Sequence, residues 1–263
     1  MRYGLGVQKT VEVFVRLGYL AKAIVYLLVG ALALKVAAGV RGGRITDPGG
    51  ALHVVLRGPF GQTMLIVIAV GLLTYAAWQT ARAIFGWDRH AREGYGGRAL
   101  TVVRALVYGA IGFKGMKLAL GLYAGDSGPE PLVRAALHWP FGQWMILIAG
   151  LGVGWYGIVE IKDAIEGHLE PDLDADTLRS RAGDWAMHVA RGGIGARGVL
   201  LVLLALGVVR AGMSRRASEA GGMDAALWIL NTMPQGTLLL GAAAAGVFAY
   251  GIYQLLHARY ATI

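Results

Sequence analysis

The sequence contains no cysteine, and this absence excludes several kinds of chemistry. Without thiols the chain cannot form disulfides, use a thiolate nucleophile or bind a metal through sulfur. Charged residues are also scarce, at 16% of 263 residues, compared with about a quarter in a typical soluble domain. So low a charge content argues against a soluble globular protein.

The patterns that usually mark a catalytic or cofactor site are missing as well. The six histidines are scattered, and no two of them have the spacing of metal ligands on one helix face: His53, His90, His138, His168, His188 and His257. No serine lies in a nucleophile turn. Residues 193–198 read GxGxxG, but no strand precedes them, so a dinucleotide site is not indicated. The sequence therefore predicts no metal, no cofactor and no enzymatic activity.

Long apolar runs are what the sequence has in place of charge. Three runs lack any charged residue: 61–81, 141–159 and 235–256. Each is about 20 residues long, which at about 1.5 Å per residue spans a hydrocarbon core of roughly 30 Å. The mean hydropathy of the whole chain is +0.54. These features predict an integral membrane protein in contact with the lipid bilayer.

Three further apolar runs have basic residues at their ends and bring the predicted number of membrane helices to six. They begin near Arg16, Arg98 and Arg191. The net charge of +9 raises the question of nucleic-acid binding. However, no basic cluster with interleaved aromatics lies in a soluble segment. The lysines and arginines are better explained as interfacial residues of a membrane protein, and no nucleic-acid partner is predicted.

The even-numbered helices repeat one pattern three times. "PFGQ" occurs at 59–62 and 140–143, and a weaker "PQGT" at 234–237. When the three prolines are aligned, the same residue types recur further along each helix: Gly71, Gly152 and Gly246; Tyr75, Tyr156 and Tyr250; then Gln79, Glu160 and Gln254. Matches at this many positions in three copies indicate an internal repeat.

The odd-numbered helices repeat in the same register. The aligned residues are Arg16, Arg98 and Arg191; Lys22, Arg104 and Arg197; Tyr26, Tyr108 and Leu201; then Gly30, Gly112 and Ala205. We therefore predict a single all-α membrane domain, residues 1–263, with repeat one at 12–86, repeat two at 96–167 and repeat three at 185–260. Each repeat has two spans, so the copies are parallel and related by a pseudo-threefold axis. A short amphipathic helix is expected at the interface before each even helix.

The residues of this pattern resemble a known bacterial membrane family. "RLGYLAKAIVYLLVG" near the start, the "PFGQ" entry and the terminal "YGIYQLLHARY" are similar to the family described as domain of unknown function 1206. The resemblance covers nearly the whole chain and implies three two-helix repeats in one membrane protein. Repeat three departs from the pattern at Leu201 and Gln235. The resemblance implies no activity.

The aligned positions predict a polar cluster inside the membrane. Residues four apart share a helix face, so glycine, tyrosine and a polar residue form one stripe on each even helix. Within each hairpin, we expect the glycines of both helices to meet in one half of the membrane and the polar residues in the other. The predicted cluster contains Lys22, Arg104, Arg197, Tyr75, Tyr156, Tyr250, Gln79, Glu160 and Gln254.

Two ionisable residues suggest a different function. Glu160 stands where the other repeats have glutamine, and Lys114 has apolar or glycine counterparts. Ionisable groups inside a membrane often mark an ion, proton or substrate path. A small channel or transporter along the pseudo-threefold axis is therefore the alternative hypothesis.

The preferred interpretation is a non-enzymatic structural or accessory protein that packs against a membrane partner or lipid. More lysines and arginines fall on the side of the two termini than on the opposite side. By the positive-inside rule, we expect a multi-pass protein of the bacterial inner membrane with both termini in the cytoplasm.

Overall fold

A computed structural model describes residues 3–85, 95–122, 128–168 and 175–260 of the chain. In these ranges, every regular element is helical. The elements are α1 (Tyr3–Ala37), α2 (Pro48–Leu56), α3 (Gly61–Phe85), α4 (Tyr95–Ala119), α5 (Glu130–Leu137), α6 (Gly142–Glu166), α7 (Ala175–Ala182), α8 (Asp184–Ser214), a short 3-10 turn (Ala217–Glu219), α9 (Met223–Thr232) and α10 (Gly236–Tyr260).

Five of the long helices are apolar enough to cross a membrane. Their candidate spans are Val15–Ala37, Gly61–Ile84, Gly142–Glu166, Asp184–Ser214 and Gly236–Tyr260. The sixth long helix, α4, has 25 residues but does not meet the same criterion over its described part. It carries Arg104, Lys114 and Lys117 in that part. The all-helical, multi-pass character predicted from the sequence is confirmed.

A short helix precedes each of α3, α6 and α10, as the sequence predicts. Asp47 caps α2, since its side chain accepts a hydrogen bond of 2.6 Å from the Gly50 backbone N–H. Leu52 of α2 and Leu227 of α9 are fully buried in the main core. α2 and α9 are thus packed into the bundle more deeply than helices that lie on an interface, whereas α5 leaves Leu132 exposed.

The glycine within each proline motif is required by the tight entry into the next helix. A Cβ atom would lie 2.2 Å from the Leu56 carbonyl oxygen at Gly61, and 1.7 Å from that of Ala136 at Gly142. The preceding residue, Phe60, has φ 57°, a left-handed conformation that is uncommon for a residue other than glycine. The repeated motif is therefore a turn that starts α3, α6 and α10.

The long helices do not pack as three equivalent hairpins. α1 packs on α3 and on α10, α3 packs on α4, α6 packs on α8, and α8 packs on α10. Among the described residues, α4 and α6, the two long helices of repeat two, hardly touch. The two long helices of repeat one and those of repeat three are in contact, whereas those of repeat two pack on the neighbouring repeats instead. The expected meeting of the two glycines of one hairpin is wrong, since Gly71 packs on Ala21 of α1 and Gly30 packs on Phe248 of α10.

Side-chain size at two aligned positions explains this difference. A Cβ atom on Gly71 would lie 2.6 Å from Ala21 Cβ, and one on Gly246 would lie 2.1 Å from Ala196 Cβ. The residue of repeat two that aligns with both alanines is Val103. One turn earlier, Gly18 and Gly193 contact the backbones of Tyr75 and Tyr250.

The position in repeat two that aligns with Gly18 and Gly193 holds Leu100 in the sequence. Larger residues thus replace the two small ones on which the close approach depends. As a consequence, α4 and α6 do not approach each other closely at Gly152, where an added Cβ would meet no described atom within 4 Å. We call the resulting gap between α4 and α6 the α4–α6 opening.

Candidate functional site

A layer of tyrosine side chains lies near the middle of the long helices. Tyr75 and Tyr108 make an edge-on contact with ring centroids 5.0 Å apart, and Tyr26 and Tyr250 make another at 4.8 Å. The hydroxyl groups of Tyr26 and Tyr108 are 3.0 Å apart and share a hydrogen bond. All four of these side chains are buried. We call this group, with Tyr19, Tyr156 and Tyr253, the tyrosine layer.

Lys22 occupies the centre of the tyrosine layer. Only 1% of its surface is exposed. Its Nζ donates a hydrogen bond of 3.3 Å to the Tyr75 hydroxyl and lies 4.7 Å from the centroid of the same ring. The rings of Tyr108 and Tyr250 are 4.9 and 5.6 Å from Nζ. These cation–π contacts stabilise an ammonium group where water is excluded.

Arg104 and Arg197 meet at a single tyrosine. Arg104 Nε donates a hydrogen bond of 2.9 Å to the Tyr156 hydroxyl, and Arg197 donates one of 3.2 Å to the same oxygen. Arg197 also forms a buried ion pair with Glu160. The geometry thus joins helices α4, α6 and α8 through charged and phenolic groups. Arg104 differs from Arg197 and Lys22 because it is only half-buried.

In each repeat, the basic residue of the first long helix (α1, α4 or α8) lies against the tyrosine of the second long helix (α3, α6 or α10). Lys22 Nζ is 4.7 Å from the Tyr75 ring centroid, Arg104 Cζ is 5.2 Å from that of Tyr156, and Arg197 Cζ is 5.0 Å from that of Tyr250. Three equivalent contacts recur although the helices of repeat two are apart. The longer Arg104 side chain spans the α4–α6 opening to reach Tyr156.

The three polar residues that end the stripes have different surroundings. Gln79 donates a hydrogen bond of 3.2 Å to the Tyr75 hydroxyl and accepts one of 3.3 Å from Arg82. Glu160 pairs with Arg197. Gln254 is fully buried, and neither of its amide atoms has a hydrogen-bond partner among the described residues. The predicted ring of equivalent residues is therefore chemically asymmetric.

The two residues of the transport hypothesis lie on opposite sides of the tyrosine layer. Glu160 follows Tyr156 on α6, toward the helix end that carries Asp163. Lys114 lies beyond Tyr108 on α4, where a Cβ on Gly49 of the short helix α2 would be 3.3 Å from Lys114 Nζ. The buried tyrosine rings separate the two groups, so the structure does not bring them together in one polar cavity.

Lys114 belongs to a small charged group at the start of α2. Burial raises the pKa of the Asp47 carboxyl above its ordinary value. The hydrogen bond from the Gly50 N–H and the charge of Lys114 lower this pKa, and the charge of Asp224 raises it. Lys114 is thus part of the electrostatic environment of a helix cap.

The structure gathers one group of metal-binding residue types that the sequence analysis missed. Asp163, Glu166 and His168 lie together at the end of α6. His168 Nδ1 is 3.1 Å from Glu166 Oε2 and 3.8 Å from Asp163 Oδ1. The three residues come from one helix turn and the residues after it, a signal that spacing could have revealed. Exposed acidic groups of this kind are common without a bound ion.

The structure has long apolar helices around a buried polar layer, and the chain contains three similar segments. These features define a multi-pass helical membrane protein built from internal repeats. The chain belongs to the family described as Domain of Unknown Function (DUF1206). The model of this family matches three times, at residues 17–86, 100–167 and 192–261. The resemblance inferred from the sequence motifs is therefore confirmed.

One curated relative aligns along most of the chain. It is the "Uncharacterized protein YxxB" of Bacillus subtilis (strain 168), which is 29% identical over 249 residues. The alignment covers 94% of this chain and 90% of the relative. No solved structure matches the chain.

Proposed function

We propose that the protein is a non-enzymatic structural or accessory protein of the bacterial inner membrane. In this proposal, all six long helices cross the membrane as three parallel repeats around a pseudo-threefold axis. The outer faces of the helices pack against lipid or a membrane-protein partner. No reaction, cofactor or metal is part of the proposed function.

The observation that carries this proposal is the packing of the tyrosine layer. Tyr19, Tyr75 and Tyr253 have no exposed surface, and Tyr250 has 1%. Lys22 fills the space between four of the tyrosine rings. A channel or transporter needs a polar path at this depth, whereas a scaffold needs a rigid interior. The buried rings favour the scaffold.

A flux measurement distinguishes the scaffold from the transporter of the alternative hypothesis. Purified protein in liposomes with an enclosed pH-sensitive dye should pass protons and small cations no faster than protein-free liposomes, because the tyrosine layer blocks the centre. Lys22→Ala, which removes the cation from this layer, serves as the comparison. Flux by the wild type that Lys22→Ala or Glu160→Gln abolishes would contradict the scaffold proposal and support transport.

The proposed six-span topology predicts which loops face each side. The chain has no cysteine, so single cysteines can be introduced without background. In intact cells, a membrane-impermeant maleimide should label Leu122→Cys and Ser218→Cys but reach Ser180→Cys only after permeabilisation. If the N-terminus is cytoplasmic but α4 does not cross the membrane, all three results are reversed. Ser180→Cys should then be labelled in intact cells, and Leu122→Cys and Ser218→Cys only after permeabilisation. That reversal would refute the six-span proposal.

A further inference from the structure

We propose that the α4–α6 opening binds one acyl chain of an anionic phospholipid, with the lipid phosphate drawn toward Arg104. The lipid enters from the leaflet on the side of the chain termini. This inference goes beyond the proposed scaffold function, because it assigns a particular ligand to one face of the protein. Three features of the opening support it: its width, its lining and its charge.

The width of the opening suits a hydrocarbon chain. Packed helices have axes about 8–10 Å apart, and a helix with its side chains is about 10–12 Å across. α4 and α6 are too far apart to pack, yet Arg104 of one still donates a hydrogen bond of 2.9 Å to Tyr156 of the other. A further helix between α4 and α6 would hold Arg104 and Tyr156 too far apart to form this hydrogen bond. An extended acyl chain is narrow enough to fit.

The lining of the opening is apolar and exposed. Five exposed side chains occupy the positions that line a groove in repeat one: Val103 and Leu106 of α4, and Ile148, Leu151 and Trp155 of α6. In repeat one, the aligned positions line an apolar groove between α1 and α3 with a volume of about 210 Å³: Ala21, Ile24, Val67, Val70 and Thr74. The groove in repeat one shows that these positions form an apolar surface on the outside of the bundle.

The charge at the opening favours an anionic headgroup. Lys22 and Arg197 are sealed in the core, but Arg104 is half-buried and reaches across the opening. An arginine at this depth attracts lipid phosphate and thins the bilayer locally. Guanidinium groups also bind phosphate with matched geometry. Asp163 interacts electrostatically with Arg104 and offsets part of its charge, so we expect a moderate preference for anionic lipid.

Native mass spectrometry tests this site with phosphatidylglycerol and phosphatidylcholine of identical acyl chains. The wild type should retain one phosphatidylglycerol molecule in preference to phosphatidylcholine. Arg104→Gln should weaken phosphatidylglycerol binding about fivefold, the effect of one basic residue near an anionic surface, and leave phosphatidylcholine binding unchanged. Gly152→Leu, which fills the opening, should remove both lipids.

Two substitutions control for general effects of charge and size. Lys162 is exposed at the same end of α6, so Lys162→Gln tests whether any lost cation weakens binding. An added Cβ at Gly192 of α8 would also meet no described atom within 4 Å, so Gly192→Leu adds the same bulk elsewhere. Both variants should bind lipid as the wild type does. Equal losses in a variant and its control would overturn the proposal.

Fluorescence quenching gives a second readout that does not depend on Gly152 or Arg104. Trp155 is exposed at the opening. Phosphatidylglycerol with brominated acyl chains should quench wild-type fluorescence more than that of Trp155→Phe, and unlabelled phosphatidylglycerol should reverse the difference more effectively than a free fatty acid. Equal quenching of both proteins, or more effective competition by the fatty acid, would overturn the proposal. A dimer that the wild type forms and Gly152→Leu does not would also overturn it.

Discussion

Gly246→Ala should destabilise the protein by about 1–3 kcal/mol, the usual cost of an overpacked core. The added methyl group would lie 2.1 Å from Ala196 Cβ, so α8 and α10 must separate. Gly71→Ala should be destabilising in the same way, because its methyl group would lie 2.6 Å from Ala21 Cβ. The measurement is the thermal unfolding midpoint of the purified variants in one detergent.

The aligned glycine of repeat two provides the matched control. Gly152→Ala adds the same methyl group to the same sequence position, but there it meets no described atom within 4 Å. Alanine is favoured over glycine inside a helix by about 1 kcal/mol, so this substitution should be neutral or stabilising. Opposite signs at Gly152 and Gly246 would show that the α4–α6 opening exists in the protein. A loss at Gly152 as large as that at Gly246 would mean that α4 and α6 are packed.

Glu160→Gln should destabilise the protein by about 3–5 kcal/mol, the cost of leaving one charge of a buried ion pair without its partner. Both side chains of this pair are 7% exposed, so water cannot replace the carboxylate beside Arg197. Glutamine itself fits the fold, because Gln79 and Gln254 occupy the aligned positions in the other repeats. The expected loss therefore comes from the charge and not from the shape.

Two further variants separate the ion pair from other causes. Adding Arg197→Met to Glu160→Gln removes the uncompensated charge and should restore much of the lost stability. Glu130→Gln breaks an ion pair with Arg134 on the exposed helix α5, where the side chains are 39% and 67% exposed. That change should cost less than about 1 kcal/mol. A double variant that is less stable than Glu160→Gln alone would show that the contacts of Arg197 with Tyr156 and Tyr250 outweigh the cost of its unpaired charge.

The repeats and the composition of the polar cluster could be read from the sequence. Aligning the three prolines places a basic residue and a tyrosine at fixed positions in each copy, and the structure brings Lys22 to Tyr75 and Arg104 to Tyr156. Such positions can be found because a helix repeats its faces every 3.6 residues. The contact between Glu160 and Arg197 joins two different repeats, so spacing within one repeat could not reveal it.

The opening in repeat two was also encoded in the sequence, but its signal was not recognised. Leu100 and Val103 replace small residues that the other repeats have at the aligned positions. A substitution of alanine by valine is usually unremarkable on a membrane helix. Its importance depends on whether a second helix lies in contact with that position, and only the packing of Gly71 on Ala21 and Gly246 on Ala196 identifies the face concerned.

By itself, the sequence determined that this is a helical membrane protein with three similar segments, because apolar runs and repeated motifs are local properties of the chain. The tertiary structure decided which helices are neighbours, which of three equivalent cations stays half-buried, and that the ring of helices opens between α4 and α6. These features depend on how closely two backbones approach, and the size of a few side chains between them sets that distance. Residues far apart in the sequence must meet before its effect appears.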